Sequence, residues 1–146
     1  MLIEFRVENH RSIRDEQVLS MEASVDKGDK EDLRPRSVKG YKKKLLPVAC
    51  IYGANASGKS NVLSAMWWMW EAVISSSRNW DPLGGISRDA FAWASKHTEP
   101  STYEITMIID NVRYQYGFTT SDVTFVEEWL YTWPFGKKQM WFERDN

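Results

Sequence analysis

The sequence predicts an α/β fold in which a buried strand, a glycine-rich loop and a helix are joined to an antiparallel β part. Three observations predict it. Residues 48–52 (VACIY) form a short continuous apolar run, the kind that suits a strand covered on both faces. A helix-spaced apolar pattern begins just after residues 53–60. From residue 101 onward, apolar and polar residues alternate with a period of two.

Composition bounds the class. The chain has 146 residues, 19 Lys+Arg and 20 Asp+Glu, for a net charge of −1, which excludes a bulk basic nucleic-acid binder but not a local basic face. A hydrophobic share of 42% excludes disorder as the main state, and the length suits one domain. Cys50 is the single cysteine, so an intramolecular disulfide and a cysteine-cluster metal site are excluded. The start, MLIEFRVENH, lacks the apolar core of a signal peptide. The most apolar stretch, residues 65–74, is broken by Glu71 and is too short to span a bilayer. A cytoplasmic protein with no membrane partner is the expectation.

The elements follow in order. Ile3, Phe5 and Val7 alternate with Glu4, Arg6 and Glu8, as in a half-buried strand. Residues 9–15 are polar and turn-like, and residues 17–23 read as a second strand paired with the first. Residues 26–44 run from acidic (Asp26, Asp29, Glu31, Asp32) to basic (Arg34, Arg36, Lys39, Lys42, Lys43, Lys44) and read as a solvated loop. After the 48–52 strand and the glycine-rich loop, Val62, Leu63, Met66, Trp67, Trp70, Val73 and Ile74 recur at helical spacing. Ala65, Trp68 and Met69 widen that surface, so the helix is expected to be buried on more than one side. Residues 80–100 contain Pro82, Gly84, Gly85 and Pro100 and read as a connection. Residues 103–109, 112–118, 123–133 and 138–143 read as strands of a meander, with Asp110-Asn111 as a two-residue hairpin turn. Tyr114, Tyr116 and Phe118 share one face, as do Trp129, Tyr131 and Trp133. Cross-strand packing accounts for them better than base stacking.

Residues Gly53-Ala54-Asn55-Ala56-Ser57-Gly58-Lys59-Ser60 fit G-x-x-x-x-G-K-[ST]. Gly53 and Gly58 allow backbone angles that let consecutive amides turn inward around a phosphate. Gly58 opens the helix, whose N-terminus adds partial positive charge. Lys59 supplies a full charge to the β- and γ-phosphates, Ser60 a hydroxyl for Mg²⁺, and Asn55 a side-chain donor toward the γ-phosphate. A chance match in a chain of this length is on the order of one in a few hundred. The strand before and the helix after predict a P-loop nucleotide-binding unit, with the backbone from Gly53 through Asn61 as the nucleotide cradle. Hydrolysis also needs a second acidic site. The run ending in Asp110 is the one apolar stretch of that form, and a hairpin turn explains it better. Leu83-Gly84-Gly85-Ile86-Ser87 has a faint likeness to a signature loop and reads as a plain loop. His10 and His97 read as surface or turn residues.

On these residues a resemblance becomes usable. MLIEFRVENHRSI followed by IYGANASGKSNVLSAM resembles the N-terminal part of ABC-type ATPases of the SMC/RecF and OLD class. The likeness is greatest to prokaryotic AAA-family ATP-binding proteins of anti-phage systems such as Septu and some retrons. VRYQYGF and VEEWLYTWPFGKKQMWFER are similar to the same subgroup, so the likeness covers nearly the whole chain. It implies an ABC-type P-loop fold with an antiparallel β-subdomain after the first helix. Residues 1–146 would then be the N-terminal part of one ATPase domain: β region and P-loop to 60, helix 61–79, connection 80–100 and meander 101–146. It also implies ATP and Mg²⁺ as ligands, with Gly53, Asn55, Gly58, Lys59 and Ser60 on the phosphate and metal positions. Arg11 and Ser12 match an Arg-Ser that lies near the nucleotide in relatives, although a turn role explains them as well. The family's glutamine loop, signature motif, second acidic motif and switch histidine lie further along than this chain reaches. Gln115 and Gln139 sit in strand-like alternation and are not assigned. Two such subunits sandwich two ATPs, so a homodimer or higher oligomer is the implied partner. The functional expectation is an ATPase, with Lys59 as its catalytic residue, that serves anti-phage defence with a nuclease or toxic effector, nucleic acid being an open partner. The alternatives are a DNA-repair or chromosome-maintenance ATPase and a non-hydrolysing module that senses nucleotide.

Overall fold

The computed structural model describes residues 1–24, 34–81 and 84–145. The acidic start of the 26–44 stretch, together with Pro82 and Leu83, lies outside the described residues. Among those described, six strands form one antiparallel sheet: β1 (Leu2–Glu8), β2 (Gln17–Ser20), β3 (Ser101–Ile109), β4 (Val112–Thr120), β5 (Phe125–Trp133) and β6 (Gln139–Asp145). Their spatial order is β2-β1-β3-β4-β5-β6. β1 pairs with both β2 and β3, and from β3 to β6 each strand pairs with the next in a meander. The β3–β4 turn is made by Asp110 (φ 50°) and Asn111 (φ 65°), the two left-handed residues a tight hairpin of matching twist requires.

One helix, α1 (Lys59–Asn79), lies across this sheet. Its buried positions are Ala65, Trp68, Met69 and Ala72, spaced i, i+3, i+4, i+7. They meet Phe5, Val7, Tyr103 and Phe118 from the sheet. The Trp68 ring stacks on Tyr103 at 4.7 Å between centroids, and its Nε1 donates to the Ser87 carbonyl at 3.0 Å. The expectation of burial on more than one side is corrected. Leu63, Trp67, Trp70, Val73 and Ile74 are all exposed, because the described residues offer α1 only one sheet face to cover.

The 48–52 run is corrected as well. It forms no strand, and Val48 and Tyr52 are 70% and 87% exposed. A strand buried on both faces needs neighbours to satisfy its backbone groups. All five strand pairings here are antiparallel, and none involves this run.

The far face of the sheet uses its aromatic residues internally. Arg113 lies 3.6 Å over the Trp133 ring and Lys138 lies 3.3 Å over Tyr131. Trp129 covers Gly117, where a Cβ would stand 2.4 Å from the indole, and donates to Glu104 at 2.9 Å.

The turn after β1 ties the connection to the sheet. Asn9 is fully buried with φ 57°. Its amide nitrogen reaches the carbonyls of Lys96, Glu99 and Pro100, and its side-chain oxygen accepts from the Phe91 amide. His10 is also buried, not a surface residue as the sequence suggests. Its Nδ1 is 2.9 Å from the Tyr103 hydroxyl and its Nε2 is 3.3 Å from Ser64 Oγ. Burial lowers its pKa to about 4, with the Arg11 charge acting in the same direction and Asp89 opposing.

That shift sets a pH dependence. Native His10 stays neutral down to about pH 4, whereas the unfolded chain takes up a proton near pH 6.5. Between those values the unfolded state binds more protons, so stability falls as pH drops through this window. The contribution at the acid end is about 3 kcal/mol. Urea midpoints measured at pH 7.5 and 4.5 should fall less for His10→Gln than for the wild type. Equal slopes would exclude His10 as the cause.

Candidate functional site

The loop ahead of α1 is built to leave backbone donors free. Ala56 (φ 64°) and Gly58 (φ 87°) both adopt the left-handed conformation. Such alternation turns successive amides toward a common centre, the geometry of an anion-binding concavity. For alanine this backbone costs roughly 1 kcal/mol, and strain of that kind clusters at ligand clamps. The internal bonds are few: Ser57 N donates to Ala54 O at 3.3 Å and Asn61 N to Gly58 O at 2.9 Å. Among the described residues, the amides of Asn55, Ala56, Gly58, Lys59 and Ser60 meet no protein acceptor.

The helix N-terminus is left open in the same way. Its N-cap, Gly58, carries no side chain to bond the first amides, and no acidic residue occupies the first turn. Ordinary helices fill this position with Ser, Thr, Asp or Asn. Here the partial positive charge of the helix end is uncompensated and is reinforced by Lys59. The Lys59 ammonium reaches back to the carbonyls of Gly53 (2.9 Å) and Ala54 (2.6 Å) and closes the loop into a ring. Ser60 is exposed on the first turn and is the one loop hydroxyl placed beyond the lysine.

A cavity of about 500 Å³ opens beside the loop and is lined by Ser57, Gly58, Lys59 and Ser12. Its other wall contains Arg14, Asp15, Gln17, Tyr52 and the apolar side chains of Val18 and Leu19. Sequence reasoning missed Arg14, Asp15 and Gln17. The one available signal was their place in the turn into β2, close in sequence to Ser12. Ser12 and Asn61 come together at the loop, Asn61 Nδ2 donating to Ser12 Oγ at 2.6 Å. Arg11 does not join them. Its side chain pairs with Asp89 at 2.8 Å and its amide bonds the Asp89 carbonyl at 2.7 Å, on the side of α1 that carries Trp67 and Glu71. Asp110 sits in the hairpin turn as expected, and His97 lies exposed in the 3₁₀ turn Ala94–Thr98.

Residues 48–146, about two-thirds of the chain, match the family described as "AAA domain, putative AbiEii toxin, Type IV TA system". The chain belongs to this family. It is therefore a P-loop domain of AAA type, a class of ATPases that bind ATP and Mg²⁺. The match begins at Val48, so the family's region includes both the strandless 48–52 run and the whole loop, while β1, β2 and the turn between them precede it. No match is found among curated proteins. Among the described residues, no helix of this AAA domain is long and apolar enough to cross a membrane.

At Gly58 a Cβ would stand 2.9 Å from Ser12 Oγ at a φ that side chains disfavour, whereas Gly53, expected to need a special backbone angle, has none and would bring a Cβ to 2.7 Å from Ser57 Oγ. Gly58→Ala is expected to cost about 1–2 kcal/mol from the left-handed backbone alone. Chemical denaturation of the variant measures this. An unchanged midpoint would mean that the loop has another low-energy shape.

Proposed function

We propose that the chain is the ATP-binding portion of an ABC-type ATPase of the SMC/RecF and OLD class. The observation that carries this reading is the loop from Gly53 to Asn61, with two left-handed residues, unpaired amides, an uncapped helix end and Lys59 at its mouth. A polyphosphate satisfies all four features together. Asn55, Ala56, Gly58, Lys59 and Ser60 supply backbone donors, and the Lys59 side chain supplies the charge that steadies the γ-phosphate during water attack. Mg²⁺, when bound, draws charge from the phosphate oxygens. Ser60 is its candidate protein ligand, which suits a cation that keeps most of its shell as water and phosphate oxygen. The adjoining cavity, with Tyr52, Val18 and Leu19 among apolar and polar neighbours, is a fitting place for the nucleoside.

The domain works in company on this reading. The strandless 48–52 run and the outer stripe of α1 are both exposed apolar segments, and further polypeptide in the same subunit or in another would cover them. Hydrolysis then waits for that completion, as expected for a homodimer or higher oligomer. The family's link to abortive-infection toxins supports a role in anti-phage defence, which we take to be cytoplasmic and coupled to a nuclease or other toxic effector. A nucleotide sensor without turnover is the second reading, because the loop accounts for binding and hydrolysis needs a second acidic site besides it.

Lys59→Ala tests the assignment. Charge-assisted hydrogen bonds are worth roughly 1.5–3 kcal/mol, so the variant should bind Mg²⁺·ATP at least about tenfold more weakly by isothermal titration calorimetry. Its far-UV spectrum should be unchanged. Equal affinity in wild type and variant would sink the assignment. Turnover by the chain when completed by its partner separates the ATPase from the sensor.

A further inference from the structure

The geometry points to Ser12 and Asn61 as a positioning pair that aims the amides of the phosphate loop through one shared hydrogen bond. This rests on reading residues 53–61 as a polyphosphate cradle and names what holds that cradle in shape. Asn61 bonds in two directions. Its amide donates to the Gly58 carbonyl at 2.9 Å, and its side chain donates to Ser12 Oγ at 2.6 Å. The same Ser12 oxygen abuts Gly58 at the place where a Cβ would project, 2.9 Å away. Ser12, Asn61 and Gly58 therefore form a closed triangle around the residue at which the chain turns from loop into helix.

The turn that presents Ser12 is a fixed reference. His10 and Ile13 exchange backbone bonds at 2.9 and 2.8 Å, the Arg11 amide is held by Asp89, and Asn9 is buried in its ring of carbonyls. A second strut joins the same two elements three residues along α1, where Ser64 meets His10. Asn61 and Ser64 lie on one helix face, so the turn grips the first turns of α1 at two points. The Ser12–Asn61 bond is solvent-exposed, so it contributes little to global stability. What it fixes is the direction of the Gly58, Lys59 and Ser60 amides, and small misalignments of such donors are costly to binding. Asparagine is a poor helix former, and its use in the first turn fits a side chain kept for this bond.

Mg²⁺·ATP affinity of the chain, measured by calorimetry for wild type, Ser12→Ala, Asn61→Ala, the double variant and Ser12→Thr, tests the pair. Each alanine variant should weaken binding by about three- to tenfold, the value of one neutral hydrogen bond. The double variant should lose no more than either single, since both remove the same bond. Ser12→Thr, which restores the hydroxyl, should return to within about twofold of wild type, and melting temperatures should stay within about 2 °C. Unchanged affinity in the single variants overturns the inference, and so do losses that multiply in the double variant, which would mark two independent contacts with nucleotide. Melting temperatures that fall in step with affinity, or failure of Ser12→Thr to recover, overturn it as well. A wild-type chain that binds no Mg²⁺·ATP refutes the cradle itself and is told apart from these outcomes by that control.

Discussion

The stacking of Trp68 on Tyr103 is the contact on which the rest of the arrangement depends. It joins the middle of α1 to the middle of the sheet, at the point where Phe5, Val7 and Phe118 also converge. Aromatic pairs of this kind add roughly 0.5–1.5 kcal/mol beyond the area they bury. More important is where they place the helix end. With Trp68 fixed, the first turns of α1 come to rest against the turn that follows β1, and the loop before the helix is held open toward solvent. Tyr103 also bonds His10 through its hydroxyl, so one phenol serves both the apolar contact and the polar turn. Burial pushes that phenol well above the usual tyrosine range and keeps it neutral.

The loop itself combines features that would be faults elsewhere. An alanine in the left-handed region, a helix begun without a side-chain cap and a lysine at a helix end that already carries positive charge each cost free energy in isolation. They share one remedy, an anion with several oxygens. The lysine meanwhile takes the carbonyls of Gly53 and Ala54 as substitutes, so its charge is not left bare. A fold that tolerates these local costs has its compensation in the packed half of the molecule, where α1 buries Ala65, Trp68, Met69 and Ala72.

What the sequence made legible was local. The meander could be read because period-two alternation and the Asp110-Asn111 turn are decided by neighbouring residues, and the strands fall at 101–109, 112–120, 125–133 and 139–145. The loop could be read because glycine and lysine at fixed spacing carry their own chemistry. Apolar spacing marks the helix but not its buried face, since α1 has two apolar stripes and nothing local tells which one the sheet covers. The 48–52 run failed for a related reason: apolarity marks a segment fit for burial, and neighbours decide whether burial happens. The burial of His10 is not legible in the sequence because its partner Tyr103 lies 93 residues away. The family resemblance puts Arg11 near the nucleotide, and the backbone instead turns it to Asp89. Arg14, Asp15 and Gln17 gained their place beside the loop only when β2 folded back on β1.

The uncovered stripe on α1 has a consequence for how the chain behaves in bulk. Leu63, Trp67, Trp70, Val73 and Ile74 present hydrocarbon to water along one side of the helix, and a net charge of −1 provides almost no mutual repulsion between molecules. Attraction of this origin strengthens on warming and in sulfate or phosphate salts, and it weakens in the cold. The colloidal state of the chain therefore depends on thermometer and buffer anion as much as on concentration.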